Sequence, residues 1–184
     1  LQISHLSSIV TSNLVFGRGE MVFYSDKNGE QVFCVDPCGC SRAVAGVCER
    51  PGFLDGPGSI AKFWGATGVA VCPDGGMVVA DYYNNCIRRI SRLEVVTTLA
   101  GTLQPGNSDG FGAEARFRGP TGVAVRPDGC VIVADSANHR IRQISPGGHV
   151  TTLAGSGVKG YGDGSAAQAQ FEYPHSIALC PDGS

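Results

Sequence analysis

The sequence is poor in charge and has no long apolar run. Asp, Glu, Lys and Arg together make 16% of the 184 residues, and the formal net charge is -2 at pH 7. Domains that bind nucleic acid usually carry a large basic excess, so this balance argues against a nucleic-acid surface, although a local basic face would fit within a neutral total. No apolar run approaches the length of a membrane span, and we therefore expect no transmembrane helix.

The first residues lack the features of a secretion signal. Residues 1–13 read LQISHLSSIVTSN, with no basic segment, no uninterrupted apolar core and no initiator methionine. We expect no signal peptide there. The eight cysteines are too few for a dense disulfide framework at this length, so they indicate neither an oxidising nor a reducing compartment, and the cellular location is left open.

What the chain does contain is one sequence written twice. Residues 63–115 and 117–169 align without a gap, and Phe63, Phe117 and Phe171 begin successive copies at a spacing of 54 residues. A fixed period of this size marks a repeat architecture, because one unit cannot bury its apolar face alone and must stack on its neighbours. Residues that recur in both copies are therefore interpreted first as structural.

Each copy contains four short, β-branched runs bounded by turn residues. In the first copy they are residues 68–72, 77–80, 86–90 and 95–99, and in the second they are residues 122–125, 131–134, 141–144 and 150–153. Pro73-Asp74-Gly75 separates the first two runs, since proline presets φ and glycine tolerates a positive φ. The pattern predicts an all-β fold in which each copy is a blade of four antiparallel strands in a β-propeller.

A degenerate copy precedes these two. Its residues 21–26, 31–35 and 43–46 match the second, third and fourth runs. We expect a lead-in at 1–8, a degenerate blade at 9–62, blades at 63–116 and 117–170, and the start of a further blade at 171–184, about three and a third blades in all. Closed propellers have at least four blades, and an open arc exposes two sheet edges, so we expect closure by missing blades or by self-association.

The repeats resemble those of the NHL family. Residues 120–144 read PTGVAVRPDGCVIVADSANHRIRQI, and VTTLAG follows at 150–155, with Asn138-His139-Arg140 at the family's naming motif. The earlier copies depart there, with Asn84-Asn85-Cys86 and Gly29-Glu30-Gln31. The resemblance covers roughly residues 14–184 and implies a six-bladed ring of which this chain holds part.

The resemblance implies several functions. NHL propellers mostly serve as rigid platforms for protein partners, some bind single-stranded RNA on one face, and a few relatives are lyases with a metal in the central channel. The fold alone does not choose among these functions, so the choice depends on the site residues.

The loops between the second and third strands differ between the copies, unlike the strands. Together with the long connectors they are expected on one face of the propeller, where binding residues usually lie. Tyr82 and Tyr83 lead because exposed tyrosines make good contact residues, although one of them could instead pack under the connector. The full set of interaction candidates is Tyr82, Tyr83, Asn84, Asn85, Asn138, His139, Lys159 and Tyr161.

Two recurring features are better explained by structure than by ligands. Asp81 with Arg88, and Asp135 with Arg142, recur at the repeat spacing, which favours ion pairs within or between blades over a ring of charges for a ligand. The Asp-Gly pairs of the connectors, such as Asp109-Gly110, lack the spaced carboxylates of a calcium loop and are predicted to be turns.

One chemical feature does not repeat. Cys34, Cys38, Cys40 and Cys48 form a cluster around the third and fourth strands of the degenerate blade. Their spacing lacks the paired C-x2-C knuckles of a zinc site, and a disulfide across the hairpin would need an oxidising compartment. Zinc, disulfide and free thiols all stay open, with free thiols as the default.

The sequence favours a non-catalytic scaffold that binds a protein partner through the loop face, without a cofactor and without membrane insertion. A metal-dependent lyase or hydrolase with a site in the central channel is the main alternative, with His175 at the start of an innermost strand as the residue to test. Binding of single-stranded RNA is the second alternative, for which Arg140 is the residue to test.

Overall fold

The computed structural model describes residues 15–26, 28 and 30–180 and consists of three antiparallel sheets. The predicted lead-in at 1–8 lies outside the described residues. The first sheet has the strand order β1-β2-β3-β4, and its strands are β1 (Val15–Phe16), β2 (Val22–Ser25), β3 (Gln31–Val35) and β4 (Ser41–Gly46). The degenerate copy therefore folds into a four-stranded sheet, as its pattern predicts.

The second and third sheets are copies of each other. The second has the order β5-β9-β8-β7-β6, with strands β5 (Gly56–Pro57), β6 (Ala66–Val71), β7 (Met77–Asp81), β8 (Cys86–Ile90) and β9 (Val95–Gly101). The third has the order β10-β14-β13-β12-β11, with strands β10 (Gly110–Phe111), β11 (Pro120–Val125), β12 (Val131–Asp135), β13 (Arg140–Ile144) and β14 (His149–Ala154).

The four long strands of these two sheets are the four predicted runs, with ends that differ by one or two residues. The short fifth strands β5 and β10 are additions that the sequence pattern did not predict. Each comes from the connector that precedes its sheet and pairs with the outermost long strand, as Gly56 does with Val96. Three short 3-10 turns are also present, at Arg18–Glu20, Gly112–Glu114 and Ser136–Asn138.

The Pro-Asp-Gly turns form as their residue types require. Gly75 and Gly129 both have φ of 85°, a conformation that strains residues with a Cβ. Their amides donate to the carbonyls of Cys72 and Arg126 over 2.8 and 2.9 Å. Each turn thus reverses the chain between the first and second long strands and holds the register of the pair.

The sheets bury their apolar side chains against each other. One cluster between the first and second sheets contains Phe63, Val79 and Ile90, and another between the second and third contains Phe117 and Ile87. Every residue of the second long strand is buried in both the second and the third sheet, in β7 and in β12. Full burial of each large apolar side chain contributes roughly 1.5–3 kcal/mol, so the stacked sheets stabilise one another.

The innermost strands lie edge to edge around the axis. Thr67 Oγ1 donates to the carbonyl of Thr121 over 3.0 Å, and Thr121 Oγ1 donates to that of His175 over 3.0 Å. Gly68 permits this approach, since a Cβ there would lie 2.3 Å from the Thr121 oxygen. Residues 174–177 thus lie beside β11 as β11 lies beside β6, although they form no strand. The boundaries of the four repeat units stay a prediction.

Candidate functional site

The antiparallel order of the strands divides the arc into two faces. The Pro-Asp-Gly turns and the turns between the third and fourth long strands lie on one face. The opposite face holds the loops between the second and third long strands and the connectors between sheets. We call this second face the loop face. It comprises residues 52–54, 62–65, 82–85, 102–108, 116–119, 136–139, 155–161 and 169–174, whereas β5 and β10 carry the middle of two connectors along the outermost long strand toward the opposite face. All eight predicted interaction residues belong to it.

Beneath the loop face, Arg88 is fully buried in a network of ion pairs and hydrogen bonds. Its Nη1 lies 2.8 Å from Asp81 Oδ2, and its Nη2 lies 2.6 Å from Asp55 Oδ1. The same guanidinium donates to the carbonyls of Lys62 and Leu54, which ties the connector to the sheet. The side chains of Asp81 and Arg88 are fully buried, and of the charged groups in this network only Asp55 is exposed to solvent. This burial supports the interpretation of the recurring Asp81–Arg88 pair as structural.

The third sheet repeats the network with its own residues. Arg142 Nη1 lies 2.8 Å from Asp135 Oδ2, and Nη2 lies 2.7 Å from Asp109 Oδ1. Asp109 also accepts from the Thr152 side chain, as Asp55 does from Thr98. Asp55 and Asp109 of the connectors are therefore part of this network. The prediction that the Asp-Gly pairs are turns is wrong for these two, because Gly56 and Gly110 begin the short strands β5 and β10.

Burial and hydrogen bonding shift the pKa of each of the two buried carboxyls in opposite directions. Burial raises the pKa of Asp81, while hydrogen bonds from the Asn84 amide, the Trp64 backbone and Arg88 act to lower it. Burial raises the pKa of Asp135 in the same way. The arginine in each sheet therefore compensates a charge that water does not reach, which is a structural role rather than a catalytic one.

Two of the predicted interaction residues direct their side-chain amides into the buried network. Asn84 is buried, and its Nδ2 donates to Asp81 over 2.9 Å and to the Gly52 carbonyl over 2.8 Å. Asn138 makes the matching bonds to Asp135 and Gly106 over 2.8 and 2.6 Å. Both amides complete the buried network. Asn84 offers almost no surface to a partner, whereas Asn138 is half-buried and its place on the interaction face stays a prediction.

Tyr82 and Tyr83 adopt different roles at the rim. Tyr83 is 57% exposed, and its ring lies 5.2 Å from that of Trp64, itself 49% exposed. Tyr82 is half-buried and meets Tyr83 edge-on at 4.8 Å. The Tyr82 ring also covers Gly119, where an added Cβ would lie 3.0 Å from it. We call Trp64, Tyr82 and Tyr83 the aromatic cluster.

Asn85 and His139 occupy the same repeat position and accept equivalent hydrogen bonds. Both adopt a left-handed conformation, with φ of 53° and 55°. Asn85 Oδ1 accepts from the Gly119 amide over 3.0 Å, and His139 Nδ1 accepts from the Tyr173 amide over 3.3 Å. Each side chain therefore ties its loop to the start of the following unit, and both remain partly exposed.

Lys159 and Tyr161 belong to a small exposed group at the last connector. Lys159 Nζ lies 2.7 Å from Glu172 and 5.3 Å from the centre of the Tyr173 ring. The ammonium of Lys159 lowers the pKa of Glu172, and the carboxylate raises the pKa of both Lys159 and Tyr161. Exposed pairs of this kind are worth little to stability, so the group is a mixed-charge surface.

A cavity of about 430 Å³ opens at the axis beside the aromatic cluster. We call it the axial cavity, and the side chains that line it include Asp26, Thr67, Tyr82, Tyr83, Thr121 and His175. Hydroxyls, aromatic rings and one carboxylate thus converge where the loop face meets the innermost strands. A site with an apolar wall and a few polar groups is the usual form of a binding pocket.

The cysteine cluster does not assemble. Cys34 is buried in β3, whereas Cys38, Cys40 and Cys48 are exposed, and all four are free thiols. Over residues 15–26, 28 and 30–180, no three His, Cys, Asp or Glu side chains come close enough to hold a metal ion. The described residues therefore give the zinc interpretation no geometric support.

The residues of the two alternative functions, His175 and Arg140, lie at different places. His175 is exposed at the axial cavity, where its Nδ1 lies 3.4 Å from the Ser176 hydroxyl. Arg140 is half-buried and donates to the carbonyl of Ser156. No helix in the described part of the chain is long and apolar enough to cross a membrane.

Sequence reasoning missed Trp64 and Tyr173. Trp64 is the chain's single tryptophan, and its counterparts in the later copies are Arg118 and Glu172. This variation at one repeat position is the signal that would have found it. Tyr173 stands where the earlier copies have Gly65 and Gly119, and it shares their positive φ.

The comparisons with known proteins agree with this architecture. The family model described as "NHL repeat" matches residues 63–90 and 117–144, which run from the first residue of each strong copy to the end of its third long strand. The chain is 39% identical over 79 residues to Protein SUPPRESSOR OF QUENCHING 1, chloroplastic, of Arabidopsis thaliana. It is 30% identical over 112 residues to NHL repeat-containing protein 2 of Homo sapiens.

These matches cover 42% and 59% of this chain but only 8% and 15% of the two relatives. Among solved structures, a protein of unknown function from Bacteroides thetaiotaomicron VPI-5482 superposes with a TM-score of 0.73 at 21% identity, over 92% of this chain and 42% of that chain. An auxiliary nutrient binding protein from the same organism gives a TM-score of 0.70 at 23% identity, over 90% and 41%.

At these identities the structural likeness speaks for the fold alone. It places the three sheets as blades of a β-propeller, and each of these two solved proteins is more than twice as long as this chain. The family-model match shows that residues 63–90 and 117–144 of this chain are NHL repeats.

Proposed function

We propose that this chain is a non-catalytic binding platform that recognises a protein partner through its loop face. The observation that carries the proposal is the aromatic cluster. Trp64 and Tyr83 are each about half exposed, yet they are held against each other and against Tyr82 on the rim of a rigid arc. Large aromatic side chains that are ordered before binding are the residues that most often dominate the energy of an interface.

The scaffold beneath the cluster supports this role. The buried network of Arg88, Asp81 and Asn84 fixes the loop that carries both tyrosines, since Asn84 lies directly after them in the chain. The Trp64 backbone amide donates to Asp81 over 2.9 Å, which anchors the third ring to the same network. A partner therefore meets an ordered surface, and little side-chain entropy is lost on binding.

The relatives are compatible with binding in general. The auxiliary nutrient binding protein has the same fold and is named for a binding role, although the likeness transfers only the fold. The partner of the present chain, and the way in which its propeller closes, are part of the proposal.

The test replaces the exposed rings one at a time. Trp64→Ala and Tyr83→Ala are compared with Leu93→Ala, because Leu93 is 87% exposed in a turn on the opposite face. A photo-crosslinking residue at position 83 or 93 identifies the partner in native extract, and the affinity of the purified partner is then measured for each variant. We expect each ring variant to lose about 2 kcal/mol of binding free energy, a value typical of interface hot spots, and Leu93→Ala to lose none.

Two results would contradict the proposal. One is a partner that binds the Trp64→Ala, Tyr83→Ala double variant as tightly as it binds the wild type. The other is a hydrolase or lyase activity that depends on bound metal and is abolished by His175→Ala, which would favour an enzyme with its site in the channel.

A further inference from the structure

The first sheet has an aspartate, half-buried, at the position of the buried aspartates of its neighbours, but it lacks their arginine. The strand register places Asp26 where Asp81 stands in the second sheet, because Ser25 pairs with Val32 as Ala80 pairs with Ile87. The same register places Phe33 where Arg88 stands, opposite Tyr24. Phe33 stacks on Tyr24 at 5.3 Å and offers no charge.

Within the part of the chain that the structure describes, the carboxylate of Asp26 consequently has backbone partners and no guanidinium. Its Oδ1 accepts from the backbone amides of Glu30 and Gln31 over 2.8 and 2.9 Å. Among the Lys, Arg and His side chains that the structure describes, none forms an ion pair with it, in contrast to Asp81 and Asp135. Instead, Asp26 lines the axial cavity.

The rest of the axial cavity suits an organic cation. Tyr82 and Tyr83 supply aromatic rings, and Thr67 and Thr121 supply oxygen atoms at the innermost strands. Among the described residues that line it there is no lysine or arginine, and Asp26 is the one carboxylate. A carboxylate beside aromatic rings is the combination that attracts a guanidinium or an ammonium group.

The fold already holds a guanidinium in this manner inside the chain. Arg88 is paired with Asp81 and Asp55, and its guanidinium carbon lies 4.7 Å from the centre of the Phe53 ring and 5.1 Å from that of Phe63. The planar guanidinium can stack on a ring while it bonds a carboxylate, which an ammonium does less well. In the first sheet the carboxylate is present, and Phe33 occupies the register position of the guanidinium.

We propose that the axial cavity receives an arginine side chain of the protein partner, with its guanidinium on the Asp26 carboxylate and against the Tyr82 and Tyr83 rings. The inference rests on the proposed function for the partner's identity as a protein, but the chemistry of the cavity is testable without that partner. It assigns the aromatic cluster and Asp26 to one recognition site.

The experiment uses the whole chain and two small probes. Acetyl-arginine methylamide carries the guanidinium, and acetyl-citrulline methylamide is its neutral isostere. The single tryptophan, Trp64, stacks on Tyr83 of the cavity wall, so its fluorescence reports occupancy without a label. We expect a saturable change with the arginine probe and an affinity at least about tenfold lower for the citrulline probe.

A matched pair of variants locates the charge. Asp26→Asn and Asp128→Asn each remove one carboxylate charge and keep an oxygen that can accept the backbone amide now bonded to Oδ1. Asp128 lies in a turn on the opposite face, so its variant is the control. We expect Asp26→Asn to weaken the arginine probe about tenfold and Asp128→Asn to leave its affinity unchanged.

The outcomes separate this inference from the proposed function. Equal affinity of the wild type for the two probes, or an unchanged affinity in folded Asp26→Asn, overturns the arginine site. The probe comparison needs no variant, so it decides the point even if Asp26→Asn fails to fold. If the probes do not bind but Tyr83→Ala still loses the partner, the binding platform stands and the arginine site does not.

Discussion

The second and third sheets share a buried network and differ at the rim above it. Arg88 and Arg142 each join the aspartate at the end of the second long strand and the aspartate of the connector, with distances that agree within 0.1 Å. Above this network, Tyr82-Tyr83 of one sheet is replaced by Ser136-Ala137 of the other. The recurring residues make the blade, and the varying residues make the surface of each blade different.

The variation at the rim is coordinated. Where the loop has Tyr82, the next unit begins with Gly119, whose lack of a Cβ leaves room for that ring. Where the loop has the small Ser136, the next unit begins with Tyr173, whose ring lies 4.7 Å from that of His139. The preceding unit thus supplies the tyrosine at the first junction, Tyr82, and the following unit supplies the tyrosine at the second junction, Tyr173. The residues at the junctions between units therefore differ between the copies, whereas the buried residues within the units recur.

The largest expected effect comes from removal of a buried arginine. Arg88→Ala leaves Asp81 as an unpaired carboxylate in a site that water does not reach, and we expect a loss of about 3–5 kcal/mol in the free energy of unfolding. Arg142→Ala should cost a similar amount, because its surroundings are the same. Urea-induced unfolding followed by circular dichroism measures both losses. Arg89→Ala, which breaks the exposed pair with Asp74, is the control and should cost at most about 1 kcal/mol.

The same variant makes a prediction about pH. Burial already raises the pKa of Asp81, and loss of the Arg88 charge raises it further. A carboxyl whose pKa is higher in the folded than in the unfolded state destabilises the fold once it must ionise, so the deficit of Arg88→Ala should be full above the folded-state pKa and shrink as the pH falls through it. A deficit that grows on acidification would contradict the buried-charge explanation.

The next prediction compares phenylalanines that are buried between two sheets with the equivalent phenylalanine beyond the third sheet. Phe63 and Phe117 are fully buried at the same repeat position, whereas Phe171 is only half-buried. Truncation to alanine should cost about 3–5 kcal/mol at the first two positions, as for other buried phenylalanines, and clearly less at Phe171. Unfolding free energies of the three variants provide the measurement. Equal losses at all three would mean that Phe171 is covered in the folded protein.

A smaller effect is expected at the asparagines of the network. Asn84→Ala removes a donor to buried Asp81 and to the Gly52 carbonyl, and we expect it to cost about 1–3 kcal/mol. Asn85→Ala removes one bond to the Gly119 amide at a partly exposed site and should cost less, about 0.5–1.5 kcal/mol. The ranking of the two variants by unfolding free energy tests whether adjacent asparagines divide into a buried and a surface role.

The repeat made most of the fold predictable. A spacing of 54 residues aligns every strand of the second sheet with one of the third, so each run was identified twice. The buried network was predicted as a pair, Asp81 with Arg88, because identity between copies indicates structure. Its further members, Asn84 and Asp55, were not, because the asparagine lies in a loop and the connector aspartate is distant in sequence. The exposed Trp64 was missed because its position is not conserved between the copies, although that very variation marks the rim.

The smallest expected effect compares one thiol with its counterpart. Cys72 and Cys180 occupy the same repeat position, but Cys72 is buried between sheets and Cys180 is exposed. Burial raises the pKa of Cys72, so it forms little thiolate at neutral pH and should react slowly with iodoacetamide. Mass spectrometry of peptides from briefly labelled native protein should find Cys180 modified and Cys72 intact, and labelling in urea should modify both. Equal rates in the native protein would mean that the second and third sheets separate readily. The aromatic cluster would then not lie on a rigid platform, and the argument for the proposed function would lose that support.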